Sequence, residues 1–129
     1  MLVRLLATAI FWLHFLWVVF ALLGGLVVLV WSWVIWAHLL AVAWSSAVFV
    51  FGWTCPLTPL EKYFRWLAGQ PVFDGGFIEH YILRPIGLTG LTRSMEVGFG
   101  LSVLAWNVLL YCIFLSGKMS ELLPLSSRL

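Results

Sequence analysis

Charge is what this sequence has least of. Only 9% of its 129 residues are charged, seven Lys or Arg against five Asp or Glu, while 64% are hydrophobic. Soluble domains carry roughly a quarter charged residues, and a chain this short could not hide so much apolar surface in a water-soluble core. The sequence therefore reads as an integral membrane protein of one domain, 1–129. The net charge of +2 is small and dispersed, which argues against a nucleic-acid partner. Cysteine is scarce too: Cys55 and Cys112 are the two present. If the last span runs away from Cys55, they end near opposite membrane faces, on the order of 25 Å apart and beyond disulfide reach. Two free thiols are expected, and there is no C-x-x-C redox pair. Internal repeats are lacking, and with them the inverted-repeat design of many transporters.

A removable signal peptide is the first alternative to an anchor. Ala7-Thr8-Ala9 has the small-x-small pattern but falls before any apolar core of a signal could finish, and the apolar run continues far past signal length. The N-terminus is expected to stay as a membrane anchor.

What the chain does have is aromatic and apolar length: nine Trp, ten Phe and three Tyr, suited to the interfacial belts of a membrane protein. Leu5 to Trp53 contains 49 residues and no charged side chain. About 20 residues cross the hydrocarbon core, so this run is two helices. Trp31-Ser32-Trp33 is the expected break, with Gly24-Gly25 the competitor. The expected fold is all-α: three transmembrane helices near 4–30, 33–53 and 93–116, with an amphipathic cap over 54–91.

Small and polar residues recur at helical spacing in each span. The first carries His14, Trp17, Ala21, Gly24, Gly25 and Val28 on one seam. The second carries His38, Ala41, Ser45, Val48 and Gly52. The third carries Glu96, Gly100, Val103, Asn107 and Tyr111. Such seams let helices approach closely and should face protein rather than lipid.

Within the cap, Thr58-Pro59-Leu60-Glu61 reads as a helix start, with Thr58 as N-cap and Glu61 completing a capping box. Gly69 would end that helix. Leu60, Phe64 and Leu67 share a face, as in a helix lying on the membrane surface. Phe77 to Leu83 reads as a second short helix ending before Pro85, and Thr92 as the cap of the third span. The segment from Gly117 to Leu129 reads as a polar, loosely ordered tail. With three spans, the N-terminus and the cap share a side holding Arg4, Lys62, Arg65, Arg84 and Arg93, which the positive-inside rule assigns to the cytoplasm.

The candidate polar-pocket residues are His14, His38, Cys55, Glu61, Glu79, His80, Glu96, Asn107 and Tyr111. Polar side chains inside apolar helices are costly and face the bundle interior. His14 beneath Glu79 and His80 is the sharpest site, suited to haem, a quinone, a lipid head group or a metal. The plainer reading is that each histidine hydrogen-bonds a neighbouring helix. His14 and His38 should differ in depth by roughly 15 Å, too far to share one haem. Glu79 and His80 are adjacent and make no H-E-x-x-H pattern. Cys55 lacks a neighbouring thiol, and Ser45-Ser46 has no reachable Asp/His set for a triad. No catalytic motif is recognised, no cofactor is identified, and the metal ligands are unknown. The leading reading is a multi-pass protein whose partners are the lipid bilayer and another membrane protein or a second copy of itself. The alternative is a redox or lipid-modifying protein using the His14/Glu79/His80 pocket.

Several segments taken together resemble one family: Leu13-His14, Trp36-Ala37-His38-Leu39, the run from Trp53 through Cys55-Pro56-Leu57-Thr58-Pro59-Leu60 to Glu61, Gly75-Gly76-Phe77-Ile78-Glu79-His80-Tyr81, and Gly87 through Arg93. They look like domain of unknown function 2784, small multi-pass proteins of the bacterial inner membrane. The resemblance covers nearly the whole chain and implies no activity. It implies basic residues between the first two helices and at the C-terminus, which would put the cap outside the cytoplasm. The charge count says the opposite, and both orientations stay open.

Overall fold

A computed structural model describes residues 1–126, with side chains through residue 117. Helix α1 (Leu2–Val30) leads through a 3-10 turn (Ser32–Val34) into α2 (Ile35–Phe51). The break falls at the tryptophan pair, not at Gly24-Gly25. Then come α3 (Leu57–Leu67), a π turn (Glu79–Leu83), a 3-10 turn (Arg84–Ile86) and α4 (Arg93–Ser126). Three stretches are long and apolar enough to cross a membrane: Leu2–Val30, Ser32–Phe51 and Arg93–Gly117. The described residues contain no strand, so this is an all-α membrane protein.

In lipid, packing and interhelical hydrogen bonds hold helices together, and both are visible here. Small residues let α1 meet its neighbours: Ala21, Gly24 and Gly25 are buried on one stripe with Ala7, His14 and Val28. A Cβ on Gly24 would lie 2.5 Å from the His38 ring, and one on Gly25 would lie 3.1 Å from Leu110. On α4, a Cβ on Gly100 would lie 3.0 Å from the Ser46 carbonyl. Asn107 Nδ2 donates across to the Ala21 carbonyl at 3.0 Å, and Trp106 Nε1 to the Leu22 carbonyl at 2.9 Å. The start of α4 also caps the end of α2. Arg93 Nη1 donates to the Phe49 carbonyl at 2.7 Å and Nη2 to the Val50 carbonyl, satisfying acceptors that a helix end leaves open. Gly52 follows in the left-handed conformation, φ 69°.

The register shows what holds the cap. Gly24 sits level with His38, so in the antiparallel pair Phe51 is level with Phe11. Residues 2–10 of α1 therefore project beyond α2 by about 13 Å. Helix α3 packs on α1, burying Thr58 and Glu61, while Phe11 meets Phe77 and Tyr81 of the following segment. The cap is built around this projecting end.

Three expectations change here. Helix α3 starts one residue before Thr58, Pro56 is its N-cap, and no side chain caps it. Glu61 is instead fully buried and bonded to Arg65 and Tyr81, because tertiary donors outcompete the local amide. The outward side of α3 is Leu60, Tyr63, Trp66 and Leu67, all exposed, while Phe64 turns half inward. Helix α4 continues through Gly117 to Ser126, so the expected tail is helical as far as the structure describes it. Helix-compatible Glu121-Leu122-Leu123 carry the repeat on, and Pro124 comes only at the last turn. Residues 127–129 lie outside the described part. Gly69 follows the end of α3 with φ +64°, and Thr92 Oγ1 accepts from the Met95 amide at 3.4 Å.

Candidate functional site

Between α1, α2 and α4, under the cap, lies a cavity of about 620 Å³, within the ~300–1,000 Å³ range of small-molecule sites. Its floor is apolar: Ala21 and Leu22 of α1 with Val103 of α4. The cap contributes Thr58, Lys62 and Glu79 together with apolar Phe77, Ile78, Ile82 and Leu83. Counting from Leu22 up to Phe11, level with the end of α2, the floor lies about 16 Å below the cap.

His14 lines this cavity, is 4% exposed, and its Nδ1 has no hydrogen-bond partner within the chain. Its ring stacks on Phe77, centroids 3.9 Å apart at 28°. One turn deeper, Trp17 also lines the cavity, and its buried Nε1 has no partner. An unmet buried polar nitrogen costs ~1–3 kcal/mol, and two lie in adjacent turns around this cavity. On the cap side, Lys62 Nζ donates to the Gly75 carbonyl at 2.9 Å. Glu96 Oε2 accepts from Arg93 at 2.9 Å. Cys55 lines the wall, half-buried, and both cysteines are free.

The structure sorts the nine candidates into three places. His14, Cys55, Glu79 and Glu96 line the cavity. Glu61 and His80 belong to a separate cluster inside the cap. There Glu61 Oε1 accepts from Arg65 Nε at 2.8 Å and from Tyr81 Oη at 2.5 Å, while Oε2 is unpaired. His80 stacks on Phe73 at 4.4 Å, with Lys62 5.0 Å from the same ring. Burial first, then the Arg84 and Arg65 charges, hold His80 below the ordinary histidine range, and Glu61 opposes them. Burial and the bond to Glu61 push the Tyr81 hydroxyl above its usual range.

His38, Asn107 and Tyr111 form the third group, in the bundle seam. His38 is 0% exposed, with Nδ1 2.7 Å from Tyr111 Oη. Its Nε2 is buried without a hydrogen-bond partner among the described residues. Asn107 reaches the Ala21 carbonyl. Ten residues separate Gly24, level with His38, from His14, about 15 Å along α1, so the two histidines cannot hold one haem between them. Among the described residues no three His, Cys, Asp or Glu side chains converge as a metal site. Sequence reasoning placed Trp17 on the protein-facing seam but passed over its indole N–H. The signal was there: a donor-only side chain one turn from His14 on a buried face.

Fold and site together define an all-α membrane protein with three apolar helices and a capped cavity between them. The sequence pattern of the family described as "Protein of Unknown function (DUF2784)" matches residues 4–112. The chain belongs to that family. No curated protein and no solved structure matches it.

Proposed function

We propose that this protein binds a lipid-like amphiphile in the bacterial inner membrane, holding the polar head beneath the cap and the chain among α1, α2 and α4. One observation carries the reading: a mainly apolar cavity of about 620 Å³ with Thr58, Lys62 and Glu79 at its cap side and the unpaired nitrogens of His14 and Trp17 in its wall. Trp17 can only donate, so the ligand's head presents an acceptor oxygen: carbonyl, carboxylate or phosphoryl. A quinone falls within this class, and so does a lipid head group. The outward apolar side of α3, with Tyr63 and Trp66 beside Lys62 and Arg65, suits a helix seated at the head-group boundary. The family resemblance to small inner-membrane proteins supports the compartment.

The test compares lipid extracts of the purified protein with those of His14→Phe and Trp17→Phe. Each keeps an aromatic ring and removes the ring nitrogen. Retention of one defined amphiphile by the wild type, and its loss from both variants with folding intact, is the expected result. Equal retention by all three would overturn the assignment of the head group.

A further inference from the structure

A second cavity adjoins the first. It has a volume of about 310 Å³ and is lined by Trp17, Leu40, Trp44, Cys55, Pro56 and Leu57. Three of these, Trp17, Trp44 and Cys55, also line the larger cavity, so the two share a wall. The smaller one is bounded by α1, α2 and the linker that follows α2. Leu40 is 65% exposed on α2, so this space is bordered by a lipid-facing side chain as well as by Cys55, Pro56 and Leu57 at the start of the cap.

We infer that the smaller cavity is a lateral vestibule, through which a single-chain bilayer amphiphile enters the larger cavity between α1 and α2, past Trp17 and Trp44. This rests on the reading of the larger cavity as a ligand site. Three features support a gate at the shared wall. The Trp17 indole N–H has no partner, so no hydrogen bond fixes its ring. The ring contact of Trp44 among the described residues is Trp53, at 6.2 Å and 44°. The unpaired N–H offers a passing acceptor head its first bond inside. The linker beside them follows Gly52, whose φ of 69° is a conformation that only glycine adopts without strain. The roof takes the opposite character. Lys62 is bonded to Gly75 and the Glu61, Arg65 and Tyr81 network lies behind it, which makes it the fixed side. A single chain is the smaller occupant for a cavity of about 620 Å³.

The test uses oleic acid as probe. Protein in phosphatidylcholine nanodiscs is loaded with oleic acid and mixed with nanodiscs carrying deuterated oleic acid, and exchange is followed by native mass spectrometry. Leu40→Trp fills the vestibule from a lipid-facing position where folding tolerates a larger ring. It should slow exchange about tenfold with occupancy unchanged. Trp44→Ala, which opens the wall, should speed it. Leu104→Trp, on α4 away from both cavities, should exchange as the wild type does. Wild-type exchange in Leu40→Trp with normal occupancy would overturn the route while leaving the ligand site standing. Failure of every protein to hold oleic acid would overturn the single-chain class and the route together.

Discussion

Replacing Gly24 and Gly25 by alanine, one at a time, tests the register that brings three helices together. A Cβ at Gly24 would sit 2.5 Å from His38 Cδ2 and 2.8 Å and 2.9 Å from the Phe20 ring. Neither neighbour is free to retreat. His38 is 0% exposed and bonded to Tyr111, and Phe20 packs edge-on against His38 at 5.4 Å. Overpacking of this kind costs ~1–3 kcal/mol. A Cβ at Gly25 meets the tip of Leu110 at 3.1 Å and nothing else closer than 3.5 Å, a contact that one side-chain rotation relieves. Both substitutions gain the same helix propensity, roughly 0.8–1.0 kcal/mol, so it cancels in the comparison. Gly24→Ala should therefore be less stable than Gly25→Ala by about 1–3 kcal/mol, measured by reversible unfolding in mixed detergent micelles. In a His38→Ala background the gap should narrow without closing, since Phe20 remains. Equal stability of the two single variants would refute the register.

Three further outcomes follow from the cap and the helix ends. A double-mutant cycle of Glu61→Gln and Tyr81→Phe should give a coupling of about 1.5–3 kcal/mol, the range for a hydrogen bond to a charged group; a coupling indistinguishable from zero contradicts that bond. His80 is held below its ordinary value of 6.5 in the folded chain, so the unfolded chain binds the proton more readily. The stability it supplies is complete above 6.5 and lost as the pH falls from there through the folded-state value. Unfolding temperature should fall as the pH drops below about 6.5, and His80→Phe, which keeps the stack on Phe73, should flatten that slope. Arg93→Gln removes the donors to Phe49 and Val50 and should cost about 1 kcal/mol, with faster amide hydrogen exchange at Gly52 and Trp53.

The spans were legible because physics leaves few options for 49 residues without a charge: two helices, and a turn where tryptophans can sit at the interface. The α1 seam was legible for a similar reason. Ala21, Gly24, Gly25 and His14 share a face at helical spacing, and a membrane helix buries its small and polar residues against protein. On α2 the seam lies about a residue round from the expected one, with Ser46 buried and Ser45 at the cavity wall, because adjacent serines give periodicity nothing to choose between. Glu61 was misread for a deeper reason. A Thr-x-x-Glu pattern is the same whether the carboxylate turns back to its own helix or reaches Arg65 and a tyrosine twenty residues away. The separation of His80 from the cavity was equally hidden, since it depends on a π turn and on how far α1 projects past α2. Both are consequences of tertiary packing that no local pattern encodes.

The most direct measurement is native mass spectrometry of the protein gently extracted from its own membranes, set beside Val48→Phe, which adds bulk to the α2 wall of the larger cavity. The account predicts one defined amphiphile on the wild-type chain and a bare Val48→Phe chain of unchanged fold. A wild-type chain that is bare, or a variant that keeps the same amphiphile at the same occupancy, would contradict it.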